Sequence, residues 1–223
     1  MICEEYKKSG LRCIYKAKTV GFDGKNVCKV HNKRKLESVQ YTKTNKSYQS
    51  DFTADSIKQF YAIHKRYVQD IISLTKETNM KIRLPCIPEY ISENIIKFAI
   101  QNQGDETVYW NCKSGDLCST LRGKLECKCF SSNGPISFTP CSEWDEIYFL
   151  DARQWLNDRY IVYRVILKYS SEEWKTIKVN KTQTFNDQCK QGRRPRLNWE
   201  LLYPQISAHC TIIFDNTFSE LII

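Results

Sequence analysis

Asp116 and the triplet Glu126-Cys127-Lys128 constrain this chain more than any other feature. The stretch Lys124–Phe130 alternates Leu125, Cys127 and Cys129 with Glu126 and Lys128, the period-two pattern of a strand with one apolar face. Glu126 and Lys128 therefore share the other face. A turn at Arg122-Gly123 folds the chain back, so Asp116, ten positions before Glu126, comes to lie beside it. Two carboxylates and an ammonium then meet at one point. Hard oxygen ligands of this kind suit Mg²⁺, which keeps several of its waters. Such an ion polarises a phosphoryl oxygen and acidifies a bound water, while a neighbouring lysine orients or deprotonates that water and offsets developing charge. The chemistry expected is phosphodiester hydrolysis. The same spacing also fits an ordinary surface hairpin with a Glu/Lys pair on its wet face.

The surrounding stretch bears on that choice. Pro88–Gln103 reads as a helix: Pro88 suits a first helical position, and Ile91, Ile95, Ile96, Phe98 and Ile100 form an apolar stripe that leaves Glu93 on the helix, with Glu89 as the alternative acid. Glu146–Leu150 and Tyr160–Tyr169 read as strands from their β-branched and aromatic content, and Thr211–Phe214 as a short late strand. Residues 85–223 taken together resemble the PD-(D/E)XK nucleases, and among them the type II restriction endonucleases. The helical acid corresponds to Glu93, the Asp to Asp116 (with Gly115 where the family usually has Pro), and the acid-X-Lys to Glu126-Cys127-Lys128. The segment from Ser131 to Phe138 also looks like such enzymes. The resemblance implies an α/β fold, a mixed sheet flanked by helices. It also implies catalytic roles for Glu93, Asp116, Glu126 and Lys128, with Asp116 and Glu126 holding Mg²⁺.

Charge agrees with a polyanionic partner. Lys plus Arg outnumber Asp plus Glu by 34 to 25, a net charge of +9, which favours phosphate contacts. Lys181, Gln183, Gln188, Lys190, Gln191, Arg193, Arg194 and Arg196 crowd into one stretch. Arg suits guanine and phosphate, and Gln suits adenine edges. The run Gln191–Arg196 is the expected DNA-contacting loop, although a solvated basic loop has the same composition. Ser132 and Asn133, just past the catalytic strand, are expected near the scissile phosphate or the adjacent groove. The expected partner is double-stranded DNA. A homodimer would match a two-fold site and bring one centre to each strand.

The first 35 residues read as a separate module. Cys3, Cys13, Cys28 and His31 follow the spacing C-x9-C-x14-C-x2-H, and three thiolates with one imidazole complete a tetrahedral structural Zn²⁺ site. So short a segment cannot hold a core unaided, so metal would supply its folding energy. A basic arm with incidental cysteines is the competing reading. Short Cys/His knuckles of this type resemble those of large DNA virus proteins. Residues 36–52 read as a basic linker and residues 53–223 as the catalytic domain. Within the latter, Thr53–Asn79 is expected as a long helix, with His64 packed in it rather than acting as a ligand. Cys112, Cys118, Cys127, Cys129 and Cys141 are expected as buried free thiols. No apolar run approaches the ~20 residues of a membrane span. The N-terminus Met1-Ile2-Cys3-Glu4-Glu5 does not resemble a signal peptide. Eleven cysteines then point to a reducing cytoplasm, bacterial or that of an infected cell, or to a virion. The leading reading is a sequence-specific Mg²⁺-dependent endonuclease. A repair or recombination nuclease of the same fold, and a non-catalytic zinc-containing DNA-binding or virion protein, are the alternatives.

Overall fold

The computed structural model describes residues 51–110 and 116–222, together with the backbone of residues 19–20 and 26–27. The chain divides into two compact units, Met1–Tyr48 and Gln49–Ile223. In the first, β1 (Thr19–Val20) and β2 (Asn26–Val27) form a short antiparallel pair. Cys3, Cys13, Cys28 and His31 lie outside the described residues.

The second unit opens with α1 (Ala54–Thr78), capped by the Thr53 side chain on the Ser56 amide and stopped at Asn79, which adopts a left-handed conformation. After an irregular segment comes α2 (Glu89–Gln101), with Pro88 at its N-cap. The sheet follows: β3 (Tyr109–Trp110), β4 (Leu117–Ser119), β5 (Gly123–Phe130), β7 (Glu146–Asp151), β8 (Arg159–Val165) and β10 (Cys210–Thr217). Their spatial order is β10-β8-β7-β5-β4-β3. Only β5 and β7 run parallel; the other neighbours are antiparallel. A second, two-stranded sheet pairs β6 (Ile136–Ser137) with β9 (Arg196–Leu197). Short helices α3 (Glu172–Thr176), α4 (Phe185–Lys190), α5 (Trp199–Ile206) and α6 (Phe218–Leu221) complete the unit. This is the mixed sheet flanked by helices expected from the sequence.

Both faces of the central strand β7 are buried, and strand alternation divides the core in two. On β7, Tyr148 and Leu150 join α1, α2 and α6 around Ile57, Ile91, Ile95 and Phe218. Ile147 and Phe149 join an aromatic core with Phe138, Trp174, Phe185 and Trp199. Every β7 residue is therefore shielded. His64 packs in the first core, stacked on Trp155 at a centroid distance of 5.4 Å, and its burial lowers its pKa. Of the five cysteines expected to be buried, Cys127 is buried, Cys118 and Cys129 are half-buried, Cys141 is exposed, and Cys112 lies outside the described residues. No described helix is long and apolar enough to cross a membrane.

Candidate active site

The site forms where two neighbouring strands differ in length. β4 pairs with β5 through Leu117↔Leu125, Cys118↔Lys124 and Ser119↔Gly123. Among the described residues, β5 beyond Leu125 has a strand partner on the β7 side only. Gly123, at φ +82°, makes the connecting turn. A side chain there would collide with the Asp145 carboxylate, which instead accepts from the Lys124 amide at 3.0 Å. This turn sets the register that brings Asp116 opposite the centre of β5. Asp116 Oδ2 accepts from the Cys127 amide at 2.8 Å, standing in for a strand carbonyl.

Glu126 and Lys128 project from the same side of β5, and Lys128 Nζ donates to Glu126 Oε1 at 2.5 Å. Cys127 turns the other way into the α2 core, where a small apolar side chain fits. Glu93, one turn into α2, completes the group. Its Oε2 accepts from Trp110 Nε1 at 2.5 Å. Glu93, Asp116 and Lys128 line one cleft of about 510 Å³. Glu89, the other acid on the helix, is exposed at its first turn but borders the same cleft.

The electrostatics follow from burial with an excess of negative charge. Burial pushes the Glu93 carboxyl up to about 7; the Trp110 hydrogen bond opposes this, and the nearby Asp116 charge adds to it. Glu126 is also raised, by burial first, against the pull of Lys128 and with the push of Asp116. For Lys128, burial disfavours the ammonium, but the Glu126 carboxylate more than compensates and its pKa is raised. Lys128 thus holds its proton. Glu93 is the group poised to exchange one near neutrality.

The donor set has the chemistry of a hard-cation site. Among the described residues, no three His, Cys, Asp or Glu side chains are grouped so as to hold a metal. Magnesium needs only one or two carboxylates, taking its remaining ligands from water and substrate phosphates. Asp116 Oδ1 and Glu126 Oε2 accept no hydrogen bond among the described residues.

The expected DNA-contacting residues divide into three sets. Ser132 borders the cleft, on an exposed loop that directly follows β5. Asn133 is on that loop too, but its Oδ1 accepts from Arg153, which also binds Asp151 and Glu200 and lies over the Phe130 ring. Lys181, Lys190, Gln191, Arg193, Arg194 and Arg196 are exposed. The Arg193–Arg196 stretch is tied to the cleft side: Phe138 N donates to Pro195 O at 2.9 Å, and Ser137 pairs with Arg196. Gln188 corrects the expectation. It is 8 % exposed, and its Nε2 donates to Gln183 Oε1. It faces inward because α4 turns Phe185 and Gln188 into the aromatic core. Gln183 is half-buried in the same amide network with Asn180 and Gln191. α4 itself was not anticipated, although Thr184 and Asp187 form a reciprocal capping box that marks its start in the sequence. Trp110 and Arg153 were also missed. Trp110 meets Glu93, and Arg153, besides its near neighbour Asp151, meets Asn133 and Glu200; no local pattern marks these long-range contacts.

The sequence model of the Bsp6I restriction endonuclease family matches residues 49–202, more than half of the chain. That span contains Glu93, Asp116, Glu126, Lys128 and the whole basic stretch up to Arg196. A relative, the type II restriction enzyme Bsp6I of Bacillus sp. (strain RFL6), is 45% identical over 62 residues, which are 28% of this chain and 34% of that enzyme. The match thus spans about a third of that relative's length. No solved structure matches the chain.

Proposed function

The chain belongs to the Bsp6I restriction endonuclease family, and on that premise we propose that it is a site-specific double-stranded DNA endonuclease that uses Mg²⁺ to hydrolyse phosphodiester bonds. The observation that carries this reading is the convergence of Glu93, Asp116, Glu126 and Lys128 at the edge of β5 that has no strand partner among the described residues, beside a cleft open to solvent.

Asp116 and Glu126 are the residues to hold the ion. Bound there, Mg²⁺ would polarise a phosphoryl oxygen and acidify a coordinated water. Lys128 stays an ammonium under the influence of Glu126, so its part is to orient the attacking water and offset charge on the phosphate. Glu93, raised to about 7, accepts a proton at its Oε1, because Oε2 is engaged by Trp110. The exposed Arg193, Arg194 and Arg196 supply phosphate and base contacts, with Ser132 on the loop that borders the cleft.

A homodimer suits two-strand cleavage. Supporting it, α1 exposes Phe60, Ile63, Tyr67 and Leu74 at three-, four- and seven-residue steps, a stripe on one side of the helix. The zinc module with Cys3, Cys13, Cys28 and His31 remains part of the proposal, and metal analysis of the purified protein checks it.

Plasmid digestion is the decisive experiment. Wild-type protein with Mg²⁺ should yield a fixed set of fragments. EDTA, Glu126→Ala or Lys128→Ala should abolish them while DNA binding persists. A diffuse smear in place of fixed fragments would favour a repair-type nuclease. Unchanged activity in Lys128→Ala would end the catalytic assignment.

A further inference from the structure

The catalytic cleft is bordered by two described cations, and only one has a partner among the described residues. Lys128 is held by Glu126. Arg83 makes no ion pair or hydrogen bond among the described residues, although Glu89, Glu93 and Asp116 border the same cleft. Arg83 lies in the irregular segment between α1 and α2 and is exposed, as is Lys81 two residues before it. The segment is not free to drift at its far end. Ile87 is buried in the first core, and Pro85 and Pro88 restrict the backbone between Arg83 and α2. The fold thus holds a guanidinium uncommitted among the described residues at the wall of a carboxylate-rich cleft that the Ser131–Ser132 loop also lines.

We propose that Arg83 binds a phosphate of the DNA backbone next to the one being cut, clamping the strand between the α1–α2 segment and the loop after β5. The inference rests on the nuclease reading above and adds a residue that the sequence motif does not mark. A polyanion entering a cleft with three bordering carboxylates needs cationic partners beyond the Lys128 ammonium, which is already paired. The planar guanidinium suits a phosphate because two of its N–H groups can donate to two oxygens at once. An ammonium at the same place reproduces the charge without the fork. Arg83 is therefore a strand-positioning residue, and its loss acts on substrate binding before it acts on chemistry.

The test uses the full-length protein and a short duplex carrying the wild-type cleavage site, first mapped by sequencing cut ends. Phosphates flanking the cut are replaced one at a time by neutral methylphosphonates, and binding is measured without divalent metal. For wild type, one position within a few nucleotides of the cut should weaken binding by about 10- to 100-fold, the size expected for a lost charge-assisted hydrogen bond. Arg83→Ala should bind the unmodified duplex that much more weakly and lose its sensitivity at that position alone. Its salt dependence should be shallower by about one phosphate. Arg83→Lys should recover part of the affinity. In cleavage assays Arg83→Ala should raise KM far more than it lowers kcat, with an unchanged melting temperature showing that the variant is folded. If Arg83→Ala responds to every methylphosphonate as wild type does, the clamp is wrong while the nuclease reading stands. If wild-type protein neither binds nor cuts any duplex, both fall.

Discussion

The strand pair β5–β7 carries two buried acids that look alike in isolation, Glu126 at 7 % exposure and Glu146 at 8 %. Their surroundings are opposite. Glu146 receives two hydrogen bonds from the Arg164 guanidinium, at 2.6 and 2.8 Å, and one from the Tyr148 hydroxyl at 2.7 Å, with Arg122 at 3.7 Å. Burial alone would raise its pKa, but the Arg164 contact, the tyrosine and both arginine charges lower it. Glu126 has one ammonium, shares its region with Asp116 and Glu93, and ends up raised. One cluster is neutralised within the protein and ties β7 to β8. The other is left with surplus negative charge facing a cleft. Burial of an acid does not by itself identify function; the balance of charge around it does.

That contrast can be broken most sharply by exchanging each acid for its neutral relative. Glu126→Gln should lower cleavage by about 10³-fold or more, the scale for losing a group that fixes charge at the reacting atoms. Its melting temperature should hold or rise, because a crowded charge has been removed. Glu146→Gln should do the reverse at the level of folding. It strands Arg164 and should cost about 3–5 kcal/mol, measured by denaturant unfolding, with activity per folded molecule largely kept. Equal stability losses in the two variants would erase the difference between the two clusters.

The smaller effect is on pH. Glu93 has its folded pKa above the ordinary value, at about 7, so the native state holds an extra proton between the usual carboxylate range and pH 7. Stability from this group should therefore fall as pH rises through that window. Glu146, lowered in the folded state, contributes stability above the ordinary carboxylate pKa that is lost as pH falls towards its depressed value. Melting temperature followed from pH 3 to 9 should thus decline at both ends, for different reasons. Glu93→Gln should flatten only the upper side. Saturating Mg²⁺ should lift the upper side in wild type, by about 2.7 kcal/mol at a hundredfold excess over Kd. If Glu93→Gln leaves the upper side unchanged, the excess charge does not reside where it has been placed.

Much of this was legible beforehand, and the reasons are local. Alternation over Lys124–Phe130 and the turn at Arg122-Gly123 specify a hairpin whatever follows, so the meeting of Asp116 with Glu126 could be read directly. Capping and period specified α1 and α2 nearly to their ends, Thr53 and Asn79 flanking the first of them. The region after Ser170 was less legible. Its polar, basic composition suggested open loops, whereas short helices bury Trp174, Phe185, Gln188 and Trp199 in the second core. A single turn of helix has too few residues for a period to emerge, and only its capping residues announce it. The Trp110 and Arg153 contacts join positions 17 and 47 apart in sequence, Trp110 to Glu93 and Arg153 to Glu200, and such pairings exist only once the sheet has formed.

The Asp116 carboxylate on the Cys127 amide has a further implication. A bare strand margin invites another extended chain to zip onto it. Here the Asp116 carboxylate occupies that margin at its first rung left open among the described residues, guarding the fold against unwanted association. Removing Asp116 would therefore uncover a sticky border as well as delete the proposed ligand, and any loss of activity in such a variant would conflate aggregation with catalysis.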